Sequence, residues 1–215
     1  MGEFRIRNPV RVCDKLGMAE VGNMGIYLRE EIMVNAHLER ALFLDRDGVI
    51  NVDKIDVHRK EAFEFIDGIF DVCRAAQQHG YKIIVITNQS GVARGVYTEA
   101  DVRMLHEYMV GEFAKNAIEI TDVYVCMSHD NSHEDRKPNP GMLLKAQEKH
   151  GLDMASSILV GDHERDILAG INAHCGKTIL LTDDIDVTTS ASIKVTSLLE
   201  ILQYLLPVFP AGFVE

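Results

Sequence analysis

Short apolar runs alternate along this chain with stretches in which apolar residues return every three or four positions. The first kind reads as buried strands: residues 41–44, 81–86, 122–126, 158–160 and 178–181, each three to six residues long and rich in Val, Ile and Leu. The second kind reads as helices over 68–79, 99–117, 139–149, 164–173 and 197–206. Their ends carry local signals. Ile69, Val72, Cys73 and Ala76 share one helical face closed by Gly80, Thr98 stands where an N-cap is wanted, and Pro140 opens the third helix. Residues 1–38 are different. Gly17, Gly22 and Gly25 interrupt a weakly periodic stretch in which only 26–38 has a helical pattern. The organisation expected is an N-terminal extension of unknown role over 1–38, one domain over 39–206 and a C-terminal tail over 207–215.

Strands alternating with helices demand right-handed crossovers and a parallel sheet covered on both faces. The fold class is therefore α/β, a three-layer Rossmann-like sandwich with a central parallel sheet. Such sheets bind ligands beyond the carboxyl ends of their strands. Those ends hold unusual residues. The first strand stops at Asp45-Arg46-Asp47-Gly48 and the second at Thr87-Asn88-Gln89. The third leads into Arg136-Lys137-Pro138, and the fourth stops at Asp162 with Asp166 four residues on. Each string alone has an ordinary explanation as a turn, a cap or a solvated loop. Packing alone would not set all four, in order, at strand ends.

Charge narrows what those residues serve. The formal net charge of −11 repels nucleic-acid backbones, so any phosphate ligand must be met by locally placed cations or a metal. A nucleic-acid end phosphatase is disfavoured on that ground. The longest apolar runs are four or five residues, which excludes a membrane-spanning helix, and the N-terminus has no secretory pattern. The four cysteines (Cys13, Cys73, Cys126, Cys175) form no C-x-x-C pair and read as reduced thiols of a cytoplasmic protein.

The residue types at the strand ends suit phosphoryl transfer, which needs in-line attack on phosphorus and neutralisation of its equatorial oxygens. Asp45 is placed to attack and form an aspartyl-phosphate, and Asp47 to protonate the leaving alkoxide and then deprotonate water. Thr87 can bond a phosphoryl oxygen, and Lys137 can screen nucleophile and phosphate. Asp162, Asp45 and the main-chain carbonyl of Asp47 offer hard oxygens for an octahedral Mg²⁺.

These four motifs resemble the signatures of the haloacid dehalogenase superfamily of phosphatases over residues 41–181. They look closest to the branch containing D,D-heptose bisphosphate phosphatase and the histidinol-phosphatase domain. The first motif runs from Phe43 to Asn51, the second from Thr87 to Gly95, the third from Arg136 to Met142 and the fourth from Val160 to Asp162. The resemblance implies the fold, Mg²⁺ dependence and an aspartyl-phosphate route. It also implies that Asn51, Asn88, Ser90, Arg94 and Arg136 help hold a small phosphorylated metabolite, such as D-glycero-D-manno-heptose 1,7-bisphosphate. Histidinol phosphate, another small phosphomonoester, or a non-catalytic domain keeping the fold are the alternatives. The gaps between motifs leave no room for a separate cap domain.

That branch usually carries a structural zinc loop before its Arg-Lys-Pro. Here Ser128, His133 and Asp135 stand at three of its ligand positions. Cys126, His129, His133 and Asp135 either form a mixed zinc site or belong to a loop that folds without metal, and the single thiol favours the second. His163 follows the metal aspartate where Lys is usual, either solvated or on a phosphate. His58, His79, His106 and His150 read as surface residues. Oligomeric state stays open.

Overall fold

The computed structural model describes residues 39–184 and 186–205. The extension at 1–38, its helical pattern at 26–38, and the tail at 207–215 lie outside the described residues. Six strands form one parallel sheet: β1 (Arg40–Leu44), β2 (Tyr81–Asn88), β3 (Ile120–Cys126), β4 (Ile158–Gly161), β5 (Lys177–Leu181) and β6 (Ile193–Val195), in the order β3-β2-β1-β4-β5-β6. Helices α1 (Ile69–Gln78), α2 (Glu99–Lys115), α3 (Gly141–His150), α4 (Glu164–Asn172) and α5 (Leu202–Leu205) occupy the crossovers and the C-terminal end.

Both faces of the central strands are covered, as their composition requires, while the edge strand β3 is only partly buried. Successive side chains of a strand point to opposite faces, and β1 divides accordingly. Leu42 and Leu44 join Ile83, Val85, Ile158 and Ile179 in one core with Val72 and Phe113, while Ala41 and Phe43 join Ile84, Ile86 and Leu159 in the other with Leu143 and Ile167. All of these are buried to within a few per cent. The five expected strands and five expected helices are present. Strand β6 has no counterpart in the sequence pattern; its three residues are too few for alternation to declare itself.

Boundaries differ from the pattern for local reasons. Helix α2 stops at Lys115 because Ala117 adopts a left-handed backbone (φ 57°) and ends the hydrogen-bond ladder. Pro140 caps α3 from outside rather than opening it. The last helix begins as a 3-10 turn, Leu198–Ile201, whose Leu198 and Ile201 lie three apart and bury together. Between β1 and α1 the described chain forms one 3-10 turn, Lys60–Ala62, and two isolated bridges rather than a cap. The strand order builds the crevice in which a ligand can sit. Chain leaving β1 passes to β2 on one side, and β4 lies on the other, so the carboxyl ends of three neighbouring strands meet there.

Candidate active site

Asp45 emerges from β1 with its backbone N–H bonded to the Val160 carbonyl of β4 at 3.0 Å, which fixes it beside Asp162. Lys137 arrives from the opposite side, its ammonium fully buried. It donates to the Ile86 carbonyl at 3.0 Å and pairs with Asp45 Oδ1 at 2.9 Å and Asp166 Oδ1 at 2.8 Å. Asp166 belongs to the first turn of α4, where its other oxygen accepts from the His163 N–H at 3.0 Å. Gly48 is needed for the approach of Asp162. Its φ is +83°, and a Cβ there would lie 2.0 Å from Asp162 Oδ2.

The electrostatics are those of a cluster short of positive charge. Burial, and then the Asp166 and Asp162 charges outweighing Lys137, push the Asp45 carboxyl up to about 8. Burial and Asp166 push Asp162 up to about 6. Burial also works against Asp166, but Lys137 prevails and holds it below the usual range; burial opposes the Lys137 charge too, yet Asp166 and Asp45 keep it above normal. Each of Asp45, Asp162 and Asp166 offers an oxygen within 4.8 Å of the others, and Asp162 Oδ1 is buried without a hydrogen-bond partner. Three hard anionic donors around one ammonium fit a Mg²⁺ ion.

These shifts set the sign of the pH dependence. Asp45 and Asp162 hold protons more tightly folded than unfolded. The stability they contribute is complete below their ordinary value of 3.8 and lost as pH rises through about 6 and about 8. Asp166, held low, contributes in the opposite sense above the carboxylate range. Between about pH 5.5 and 8.5 the Tm in EDTA should therefore decline, and the Tm gain on adding Mg²⁺ should grow. Thermal scans across that range test this, and a gain independent of pH contradicts it.

Asp47, Thr87 and Gln89 form a second group. Gln89 Nε2 donates to Asp47 Oδ2 and to Thr87 Oγ1, both at 2.9 Å, while its Oε1 accepts from Tyr97 O–H at 2.7 Å. Arg46, fully buried, pairs with Asp47 Oδ2 at 2.8 Å, and Asn51 Nδ2 donates to Asp47 Oδ1 at 3.0 Å. The structure thus brings Asp45, Asp162 and Lys137 together, and ties Asp47 to Thr87 through Gln89.

The residues expected to touch substrate divide. Asn51 is 0% exposed; its Nδ2 donates to Asp47 and to the Val52 carbonyl, while its Oδ1 has no partner. The Asn88 amide spans the Lys137 backbone, donating to its carbonyl and accepting from its N–H, both at 3.1 Å. Arg136 donates to the Ser128 carbonyl and to Asn131 Oδ1, each at 3.0 Å, and so braces its own loop. Arg94 pairs with Asp56 at the surface, and Ser90 is half-buried beside it in the same turn. His163 is half exposed, 3.8 Å from Asp162.

His106 corrects the sequence reading. It is buried, because it shares an inward face of α2 with Val102, Met109 and Phe113; the i, i+4, i+7, i+11 spacing is the available signal. His150 is also partly covered, 3.0 Å from Asp122. The roles of Arg46, Gln89 and Asp166 are not set by local sequence alone, since each also meets a partner far along the chain: His106 for Arg46, Asp47 for Gln89 and Lys137 for Asp166. In the loop before Lys137, Cys126 Sγ lies 3.9 Å from His133 Nδ1, and Asp135 pairs with Lys145 at 2.6 Å. Among the described residues, three such donors approach within 4.8 Å of one another at Asp45, Asp162 and Asp166, and at Asp53, Asp162 and His163.

This arrangement on a parallel sheet is that of a haloacid dehalogenase-like phosphatase. The polynucleotide kinase 3 phosphatase family matches residues 42–193, and the chain belongs to it, in the heptose bisphosphate phosphatase branch. A relative from Campylobacter jejuni, D-glycero-alpha-D-manno-heptose-1,7-bisphosphate 7-phosphatase, is 50% identical over 145 residues, 67% of this chain and 84% of that protein. D-glycero-beta-D-manno-heptose-1,7-bisphosphate 7-phosphatase of Escherichia coli K12 is 40% identical over 70% of this chain and 83% of its own length. The structure of D,D-heptose 1,7-bisphosphate phosphatase from B. bronchiseptica, complexed with magnesium and phosphate, superposes with a TM-score of 0.70 at 25% identity, covering 77% of this chain and 97% of that one.

Proposed function

We propose that this phosphatase removes the 7-phosphate of a D-glycero-D-manno-heptose 1,7-bisphosphate, using Asp45 as the nucleophile. The convergence of Asp45, Asp162 and Asp166 around the Lys137 ammonium carries the chemistry. The substrate is supported by the relatives' names. Those 50% and 46% identical are named for the α anomer, while those 38–43% identical are named for the β anomer. The α anomer is therefore the reading preferred.

In this mechanism Asp45 attacks phosphorus as the bond to the sugar oxygen breaks, and Asp47 gives that oxygen its proton. Asp47 then takes a proton from water, which cleaves the aspartyl-phosphate and returns Asp45 and inorganic phosphate. Thr87 hydrogen-bonds a phosphoryl oxygen, and Lys137 neutralises charge between Asp45 and the phosphate. Asp45, Asp162 and the main-chain carbonyl of Asp47 would hold Mg²⁺, which offsets the carboxylates that otherwise repel the substrate. Asn51 and Asn88 position Asp47 and Lys137. Ser90 and Arg94, on the loop after β2, are the groups able to meet the rest of the sugar, and His163, at the start of α4 beside Asp162, is a further one. Residues 39–206 are the catalytic unit, acting in the cytoplasm on a small metabolite; Cys73, Cys126 and Cys175 are free thiols, and no helix among the described residues is long and apolar enough to cross a membrane.

A phosphate-release screen tests this reading. Both heptose bisphosphate anomers, histidinol phosphate, other sugar phosphates and a 3′-phosphorylated oligonucleotide are offered with Mg²⁺ and with EDTA. The expected outcome is Mg²⁺-dependent release, fastest from the α-bisphosphate, with the oligonucleotide left intact. Preference for histidinol phosphate or for the oligonucleotide would refute the substrate.

We further propose that the loop before Lys137 folds without zinc. Asn139 Nδ2 donates to the carbonyls of Asn131 and His133 at 3.0 and 2.9 Å, and Lys145 binds both Glu134 and Asp135. That network takes up Asp135 Oδ2, one oxygen of one of the four candidate ligands, while the buried Oδ1 has no hydrogen-bond partner. Elemental analysis of purified protein should find well under one zinc per chain; a stoichiometric amount refutes it.

A further inference from the structure

Arg46 is a charge buried to 0%, and the proposed mechanism does not use it. Its guanidinium has a fixed set of neighbours. Nε and Nη2 meet the Asp47 carboxylate at 3.3 and 2.8 Å, Nη2 also donates to the Val57 carbonyl at 2.8 Å, and Nη1 lies 3.1 Å from His106 Nε2. A guanidinium only donates, so Nε2 must accept and the ring proton sits on Nδ1. Burial, and then the Arg46 charge, hold the ring down to about 4, and it stays neutral at ordinary pH. The other donors to Asp47 have supports of their own: Asn51 is four residues away, and Gln89, forty-two positions later, is anchored by Tyr97. The Nη1 side of Arg46 depends on a residue sixty positions later.

The type of residue at 106 matters. An aliphatic side chain would leave a buried N–H without an acceptor. A carboxylate would compete with Asp47 for the guanidinium, and a cation would repel it. A neutral acceptor orients Arg46 without drawing its charge from Asp47. We propose that His106 is a positioning residue for the leaving-group acid: by accepting from Arg46 Nη1 it fixes the guanidinium, and the guanidinium fixes the Asp47 carboxylate. The inference rests on Asp47 being that acid.

The test compares His106→Leu with His106→Gln, which keeps a neutral acceptor, on phenyl phosphate and 4-nitrophenyl phosphate in Mg²⁺. The nitrophenolate leaves without needing a proton, so a misplaced acid harms its release least. His106→Leu should lower kcat/KM for phenyl phosphate about tenfold and for 4-nitrophenyl phosphate less than about threefold, and His106→Gln should recover most of the loss. In an Asp47→Asn background, His106→Leu should cost nothing further on phenyl phosphate. Should His106→Leu fail to fold, His106→Ala with added imidazole serves. His106 lines a cavity of about 610 Å³ with Val102, Val110, Val123 and Val125, through which imidazole can enter and selectively restore the phenyl phosphate rate. Equal losses on both substrates, additive losses in the Asp47→Asn background, or unaltered kinetics overturn the proposal. An Asp45→Asn control separates the two failures. If it retains turnover, the reading of the site is wrong. If it is inactive while the His106 variants show no leaving-group dependence, only this inference falls.

Discussion

Asp45→Asn should lower phosphate release by roughly 10³-fold or more while leaving the protein folded. The amide keeps the size and most hydrogen bonds of the carboxyl but cannot attack phosphorus. Folding should not suffer, because the native carboxylate is not a stabilising charge in the absence of a cation. It is 4% exposed, and burial with two neighbouring carboxylates outweighs Lys137. In EDTA the Tm of the variant should match or exceed that of the natural protein, and the Tm gain on adding Mg²⁺ should shrink. Thermal scans beside a phosphate assay check both. Undiminished turnover would overturn the mechanism, and a collapsed Tm would mean that Asp45 is chiefly structural.

Lys137→Met should damage fold and activity together. The ammonium is the buried positive charge shared by Asp45 and Asp166, and it also meets the Ile86 carbonyl. Removing one member of a buried ion pair leaves uncompensated charge, at a cost of about 3–5 kcal/mol. In a domain of this size that is a Tm fall of roughly 10 °C. Activity should fall on the order of 10²-fold through lost stabilisation of the phosphate charge. The stability loss should shrink on acidification, since the freed carboxyls can then take protons. It should also be partly recovered by Asp166→Asn, which removes one orphaned charge while leaving activity low. Full activity in Lys137→Met would contradict the role given to the ammonium.

Much of the fold and site is readable in the chain because the decisive signals are local. A run such as Ala41 to Leu44 ending at Asp45 carries strand, burial and polarity change within five residues, and the strand-end rule then gathers Asp45, Thr87 and Asp162. The positioning residues are not readable that way. Gln89 looks like any polar residue after a strand until Tyr97 and Asp47 are seen on either side. Arg46 looks like a solvated charge between two aspartates, and its burial depends on Val57 and His106, elements that meet it only in the folded state. Asn51 and Asn88 are expected at the ligand because they lie inside the motifs. Membership of a motif does not distinguish a side chain facing substrate from one supporting its neighbour. His106 is the exception, since its periodicity with Val102, Met109 and Phe113 is present in the sequence and marks it as inward-facing.

The bare backbone at Gly48 leaves no slack in this design. The loop leaving β1 and the carboxylate leaving β4 are spaced by the absence of a methyl group, so neither can be adjusted without the other. A change of side chain is absorbed more easily in an outer turn such as that of Ile55, 83% exposed, than at Gly48.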